Sequence, residues 1–161
     1  MPLLEKLRDF LEANHAEYSH TVHPTAYTAR EVATAEHLPA REIAKTVVIL
    51  GDGGFRMLVV PANRLVDFRE VRTALGLSNV RMATEYELGN LFPDCEVGAM
   101  PPVGSLYGLP VFIDASLLSE EVIAFNAGTH RDEVHMRTAE YKRLVQPTVV
   151  SLARAEVAHN W

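Results

Sequence analysis

The chain predicts an α+β domain, a curved mixed β-sheet with short helices packed around it. Three observations carry that expectation. Residues 44–61 hold two β-branched apolar runs on either side of Gly51-Asp52-Gly53-Gly54, which is hairpin chemistry. Helical stripes and strand-like runs alternate irregularly along the rest of the chain. Finally, 161 residues with 48% hydrophobic and 22% charged content can bury one core without staples, so a single domain over 1–161 is expected.

Taken in order, Leu3, Leu4, Leu7, Phe10 and Leu11 recur at helical spacing and predict a helix over 3–13. Tyr18 to His23 reads as a short extended piece ended by Pro24. Thr28 is an N-cap for the helix that follows, and Glu31 stands at the capping-box spacing. The hairpin comes next, with strands at 44–50 and 55–61. Phe68, Val71 and Leu75 share one face of a helix over 67–75, which Gly76 ends. A short strand is predicted at 80–83, then a helix capped by Thr84. Residues 93–108 are rich in Pro and Gly and read as a long loop. Buried-type strands follow at 109–115 and 121–128. Val134 and Met136 alternate with His135 and Arg137 in a further strand. A helix over 138–145 and a last strand near 148–153 close the chain.

Composition excludes several functions. Cys95 is the lone cysteine, so no intrachain disulfide can form, which fits a reducing compartment. The amphipathic start is not a signal peptide, and no apolar run reaches membrane-spanning length. The cytoplasm is therefore expected, with no membrane partner. A net charge of −6 argues against a broad footprint on DNA or other duplex phosphates, though it leaves room for a small basic site. Seven histidines are present, but His20/His23 and His130/His135 lack the partners and spacing of a zinc site. No metal and no cofactor is expected.

Three stretches could carry chemistry. Lys45 opens a strand, where it either snorkels to water or stands at the edge of a pocket. The run Gly98-Ala99-Met100-Pro101-Pro102-Val103-Gly104 is either a structural turn or a stiffened wall of N–H donors. Its possible donors are Gly98, Ala99, Met100, Val103 and Gly104, because proline has no N–H. The turn Asn126-Ala127-Gly128-Thr129-His130 follows an apolar strand and is either a plain turn or a pocket rim. No cationic cluster activates Cys95, and no serine elbow, phosphate loop or dinucleotide fingerprint is present.

The order of these three stretches resembles the YbaK/prolyl-tRNA synthetase editing-domain family of aminoacyl-tRNA deacylases. The likeness covers residues 20–152 or so. The resemblance implies hydrolysis of the ester that joins a wrong amino acid to the 3′ end of a tRNA. It implies that Lys45 is essential and lies near the terminal nucleotide, and that the loop from Gly98 through Ala99, Met100 and Pro101 to Pro102 faces the aminoacyl carbonyl. It also assigns substrate contacts to Ala127, Gly128 and Thr129. Either His130 or His135 matches the histidine of the synthetase-embedded domains, and Tyr27 and His23 are candidate pocket walls. The expected partners are the aminoacyl-tRNA 3′ end and an aminoacyl-tRNA synthetase. Two other readings share the pocket: a non-catalytic binder of tRNA ends or synthetases, and a small-molecule hydrolase. Pocket size is expected to depend on Met100, Val103 and Tyr27.

Overall fold

A computed structural model describes residues 4–155. Leu3 of the first predicted stripe and residues 156–161 lie outside the described residues. Helix α1 (Glu5–Ala13) buries Leu7 and Leu11 as the stripe requires. Strand β1 (Ser19–Val22) leads to α2 (Ala29–Ala35), where Thr28 and Glu31 form the capping box. The hairpin of β2 (Ala44–Gly51) and β3 (Gly54–Pro61) is antiparallel throughout. Its two turn residues, Asp52 and Gly53, have φ of 48° and 84°, the paired left-handed conformation that two-residue hairpins need.

Beyond the hairpin lie β4 (Arg64–Val66), α3 (Phe68–Leu75), β5 (Val80–Met82) and α4 (Glu85–Leu91). Asp67 caps α3 instead of opening it, accepting from the N–H groups of Arg69 and Glu70. The sequence offered no signal for β4, whose three residues are too few to show a period. After the long loop come β6 (Val111–Asp114), β7 (Val122–Asn126), β8 (Asp132–Arg137) and α5 (Thr138–Val145).

The predicted last strand is divided in two. β9 (Thr148–Val150) runs parallel to β6, whereas β10 (Ala153–Ala155) crosses over to pair with β4. The cause is Asp114, a buried carboxylate that accepts from the N–H groups of Leu152 at 2.8 Å and Ala153 at 3.1 Å. Those bonds redirect the backbone between the two strands.

The strands form a mixed five-stranded sheet in the order β5-β2-β3-β6-β9, a three-stranded sheet β1-β8-β7 and a β10-β4 ribbon. A single parallel bridge, Ile43 to Ala124, joins the first two sheets. The main core lies on one face of the large sheet, where Ala44, Val48, Met57 and Val59 meet α1, α5 and the inward residues of β7 and β8. On the other face, Ile49, Leu58 and Val60 pack against Val71 of α3 and Leu152. A third cluster, including Ile43, Ala62, Ala124 and Val32 of α2, covers the bridge.

Candidate active site

The site grows from the bridge. Past Ile43 and Ala124, β2 turns to pair with β5 through residues 49–51, so β2 and β7 part. Lys45 and Asn126 each stand two residues beyond the bridge. Strand alternation therefore turns both side chains to the same face, away from the main core. The Lys45 ammonium donates to the Arg64 carbonyl at 3.1 Å.

The Gly98 loop is hydrogen-bonded to the turn that follows β7. The Gly128 N–H donates to the Ala99 carbonyl at 2.9 Å, and the Glu96 N–H donates to the Gly128 carbonyl at 2.8 Å. Glu96 is a clamp that the sequence did not reveal. Its carboxylate accepts from the His130 N–H at 2.6 Å, tying loop to turn a second time. The Asn126 amide reaches the Gly98 carbonyl at 3.5 Å, while its own oxygen is buried without a partner.

His130, not His135, lies against the loop. Its Nε2 is 2.8 Å from the Val97 carbonyl; a carbonyl only accepts, so Nε2 carries the proton. Nδ1 is left as a bare acceptor, buried and without a partner. The Tyr27 ring stands 4.9 Å from the His130 ring, and Tyr27 is 70% exposed. His135 instead bonds Glu36 at 2.7 Å and Thr21 at 3.0 Å, on the β1 and α2 side. His23 is buried, donating through Nδ1 to the Pro24 carbonyl at 2.7 Å. A pocket wall at His23 is therefore not what its burial offers.

The loop backbone is held from behind. Pro101 and Pro102 are buried, and the Tyr141 hydroxyl of α5 donates to the Pro102 carbonyl at 2.6 Å. Met100 and Val103 are core residues. The Ala99 and Val103 N–H groups are also engaged, with the carbonyls of Glu96 and Pro101. The N–H groups of Gly98 and Met100 have no acceptor among the described residues. Gly98 has a φ of 89°, and an added Cβ would stand 3.5 Å from His130 Cε1.

The turn after β7 is likewise occupied by the protein itself. The Ala127 side chain is in the core. Gly128 has a φ of 102°, and a Cβ there would meet Leu4 Cβ at 3.0 Å, so the close neighbour that this glycine admits is the N-cap residue of α1. The Thr129 hydroxyl bonds Asp132 and accepts from the N–H groups of Arg131 and Asp132, which shapes the turn.

No conventional nucleophile emerges. Burial pushes the Cys95 thiol up to about 11, with Asp94 nearby adding to the shift, so its thiolate is scarce near neutrality. Among the described residues no cluster could hold a metal ion. The loop and turn bring together two unengaged N–H groups and the buried acceptors of Asn126 and His130, while the Lys45 cation bonds the Arg64 carbonyl, outside the loop. That set can stabilise a developing oxyanion and hold a polar ligand. No helix among the described residues is long and apolar enough to cross a membrane.

The chain is similar to known proteins. Residues 23–144 match the family model described as the aminoacyl-tRNA editing domain. A proline–tRNA ligase of Thermosipho africanus is 33% identical over 82 residues, 51% of this chain and 14% of that protein. The multifunctional Ser/Thr-tRNA deacylase ProXp-y of Escherichia coli K12 is 29% identical over 99 residues, 61% of this chain and 59% of that protein. The chain thus spans less than two thirds of the length of these relatives. A crystal structure assigned as a candidate trans-editing enzyme for prolyl tRNA synthetase superposes with a TM-score of 0.83 at 25% identity, covering 96% of this chain and 99% of that one.

Proposed function

The chain belongs to the aminoacyl-tRNA editing domain family, and from that premise we propose that it acts in trans as a deacylase of mischarged aminoacyl-tRNA. The observation that carries the proposal is the braced loop beside the parted strands, with Gly98 and Met100 N–H groups unengaged and Lys45 and Asn126 turned to one face.

The reaction follows from those groups. A bound water attacks the carbonyl carbon of the 3′ aminoacyl ester, and the carbonyl oxygen becomes an oxyanion. The Gly98 and Met100 N–H groups stabilise that charge; one such donor contributes about 2.7–4 kcal/mol. The intermediate then expels the ribose oxygen, which takes up a proton. The products are a free amino acid and a tRNA with its terminal hydroxyl restored. With no side-chain nucleophile–base pair at the site, the terminal ribose hydroxyl orients the water. Lys45 supplies positive charge to a phosphate or ribose of the terminal adenosine. Asn126 and His130 present acceptors, and the Tyr27 ring forms an outer wall. The ester is already activated, so modest stabilisation suffices.

A net charge of −6 weakens intrinsic RNA affinity, which makes an aminoacyl-tRNA synthetase the proposed recruiting partner and the cytoplasm the proposed compartment. The test is release of amino acid from a panel of mischarged tRNAs. Wild-type protein is expected to discharge at least one of them above buffer, and Lys45→Ala to reduce that rate at least 100-fold, on the order of 2.7 kcal/mol. Saturable binding of charged tRNA without turnover would mark a binding module instead.

A further inference from the structure

A small cavity adjoins the carbonyl that holds Lys45. It measures about 230 Å³ and is lined by Arg41, Asn63, Arg64, Ser119 and Glu120, among others. The Lys45 ammonium bonds the Arg64 carbonyl at 3.1 Å, so the cavity begins one residue from the cation assigned to the terminal adenosine. We propose that this cavity is a second RNA subsite, which takes the phosphodiester and sugar of the nucleotide preceding the terminal adenosine. The proposal rests on the deacylase reading given above.

Four features support it. Arg41 is oriented by Glu120: its Nε donates to the carboxylate at 3.2 Å, while its two terminal nitrogens engage nothing among the described residues. A guanidinium held by one edge presents the other to a phosphate, the bidentate fork that phosphate recognition uses. Arg64 has no acidic partner among the described residues. With Glu120 answering only one arginine, the cavity keeps a surplus positive charge. In a chain of net charge −6, such a surplus is local. The Asn63 amide oxygen is buried without a donor, the mark of a wall that completes its hydrogen bonds with a ligand hydroxyl. A ribose 2′-hydroxyl is such a donor. Size agrees: drug-sized ligands occupy roughly 300–1,000 Å³, and this space is smaller, fit for one phosphate–sugar unit.

The test compares two substrates that differ only in the proposed contact. One is a mischarged tRNA; the other is the same amino acid esterified to adenosine, which lacks the preceding phosphodiester. Arg41→Gln and Arg64→Gln are expected to raise KM for the tRNA by about tenfold each, as loss of a charge-assisted hydrogen bond implies, with kcat unchanged. Neither should alter hydrolysis of the adenosine ester. The dependence of log kcat/KM on log salt should become shallower by about 0.7 per lost phosphate contact. Equal losses on both substrates, or no loss on tRNA, would overturn the subsite and leave the deacylase reading standing. If wild-type protein hydrolyses neither substrate, the deacylase reading fails and binding of a fluorescent CCA trinucleotide decides the subsite. Weakening by both variants then supports it, and absent or unchanged binding overturns it. Inorganic phosphate that competes as strongly as the trinucleotide would identify a free-anion site and also overturn the RNA assignment.

Discussion

Gly98 shows how one residue sets the shape of this loop. Its φ of 89° is open to glycine and strained for any other residue, while an added Cβ would lie in ordinary contact, 3.5 Å from His130. Gly98→Ala is therefore opposed by backbone strain and not by crowding. The expected cost is about 1 kcal/mol or more of stability, together with a fall in kcat as the Gly98 N–H turns away. Thermal melting and deacylation of a mischarged tRNA read the two effects separately; an unchanged kcat would remove Gly98 from the oxyanion site. The same scale explains His130. Its Nε2–H anchors the Val97 carbonyl, which leaves Nδ1 as a buried acceptor without a partner.

At the scale of elements, the loop is rigid because other elements hold it. Its carbonyls and N–H groups pair with the turn after β7, its prolines press on the core, and α5 reaches it through Tyr141. Tyr141 is buried, and its hydroxyl bond to Pro102 spans helix and loop. Tyr141→Phe leaves the Pro102 carbonyl without that donor, and a buried unsatisfied group costs about 1–3 kcal/mol. The urea midpoint should fall accordingly. Because the loop then moves against its donors, kcat should fall more than KM rises. A variant that loses stability yet keeps wild-type kcat would show that the helix braces the fold and not the site.

For the whole molecule, a buried acid network beneath β1 and β8 links stability to pH. Glu133 is buried among His23, Glu36 and Asp132, and neither of its oxygens has a hydrogen-bond partner. His23 Nε2 stands 3.5 Å away without forming a hydrogen bond. Burial first, then the Glu36 and Asp132 carboxylates, push the Glu133 carboxyl up to about 9. The folded state therefore keeps a proton that the unfolded chain releases above its ordinary value of 4.5. Stability falls as pH rises between about 4.5 and about 9, because folding must take that proton up. Glu133→Gln holds a neutral group at every pH. Its advantage over wild type should widen across that window, as urea titrations at pH 5, 7 and 9 would show. Parallel pH curves for the two proteins would refute a protonated Glu133.

Local chemistry made much of this protein legible from its residues. The Asp52-Gly53 turn, the Thr28 and Thr84 capping boxes and the left-handed Gly76 appear where short-range rules place them. Each depends on neighbours within a few positions. The family, too, was readable, because the order of Lys45, the Gly98 loop and the Gly128 turn is a linear property of the chain. The crossing of β10 to β4 was not readable, since Asp114 acts on Leu152 and Ala153 from 38 and 39 residues away. Nor were the Glu96 clamp, the placing of His130 rather than His135 against the loop, or the burial of Met100 and Val103 in the core. Periodicity and turn chemistry reach only a few residues, so the sequence by itself determined the elements and the family. Which N–H groups stay unengaged, and which side chains share a face, was decided only when distant segments closed on one another around the parting of β2 and β7.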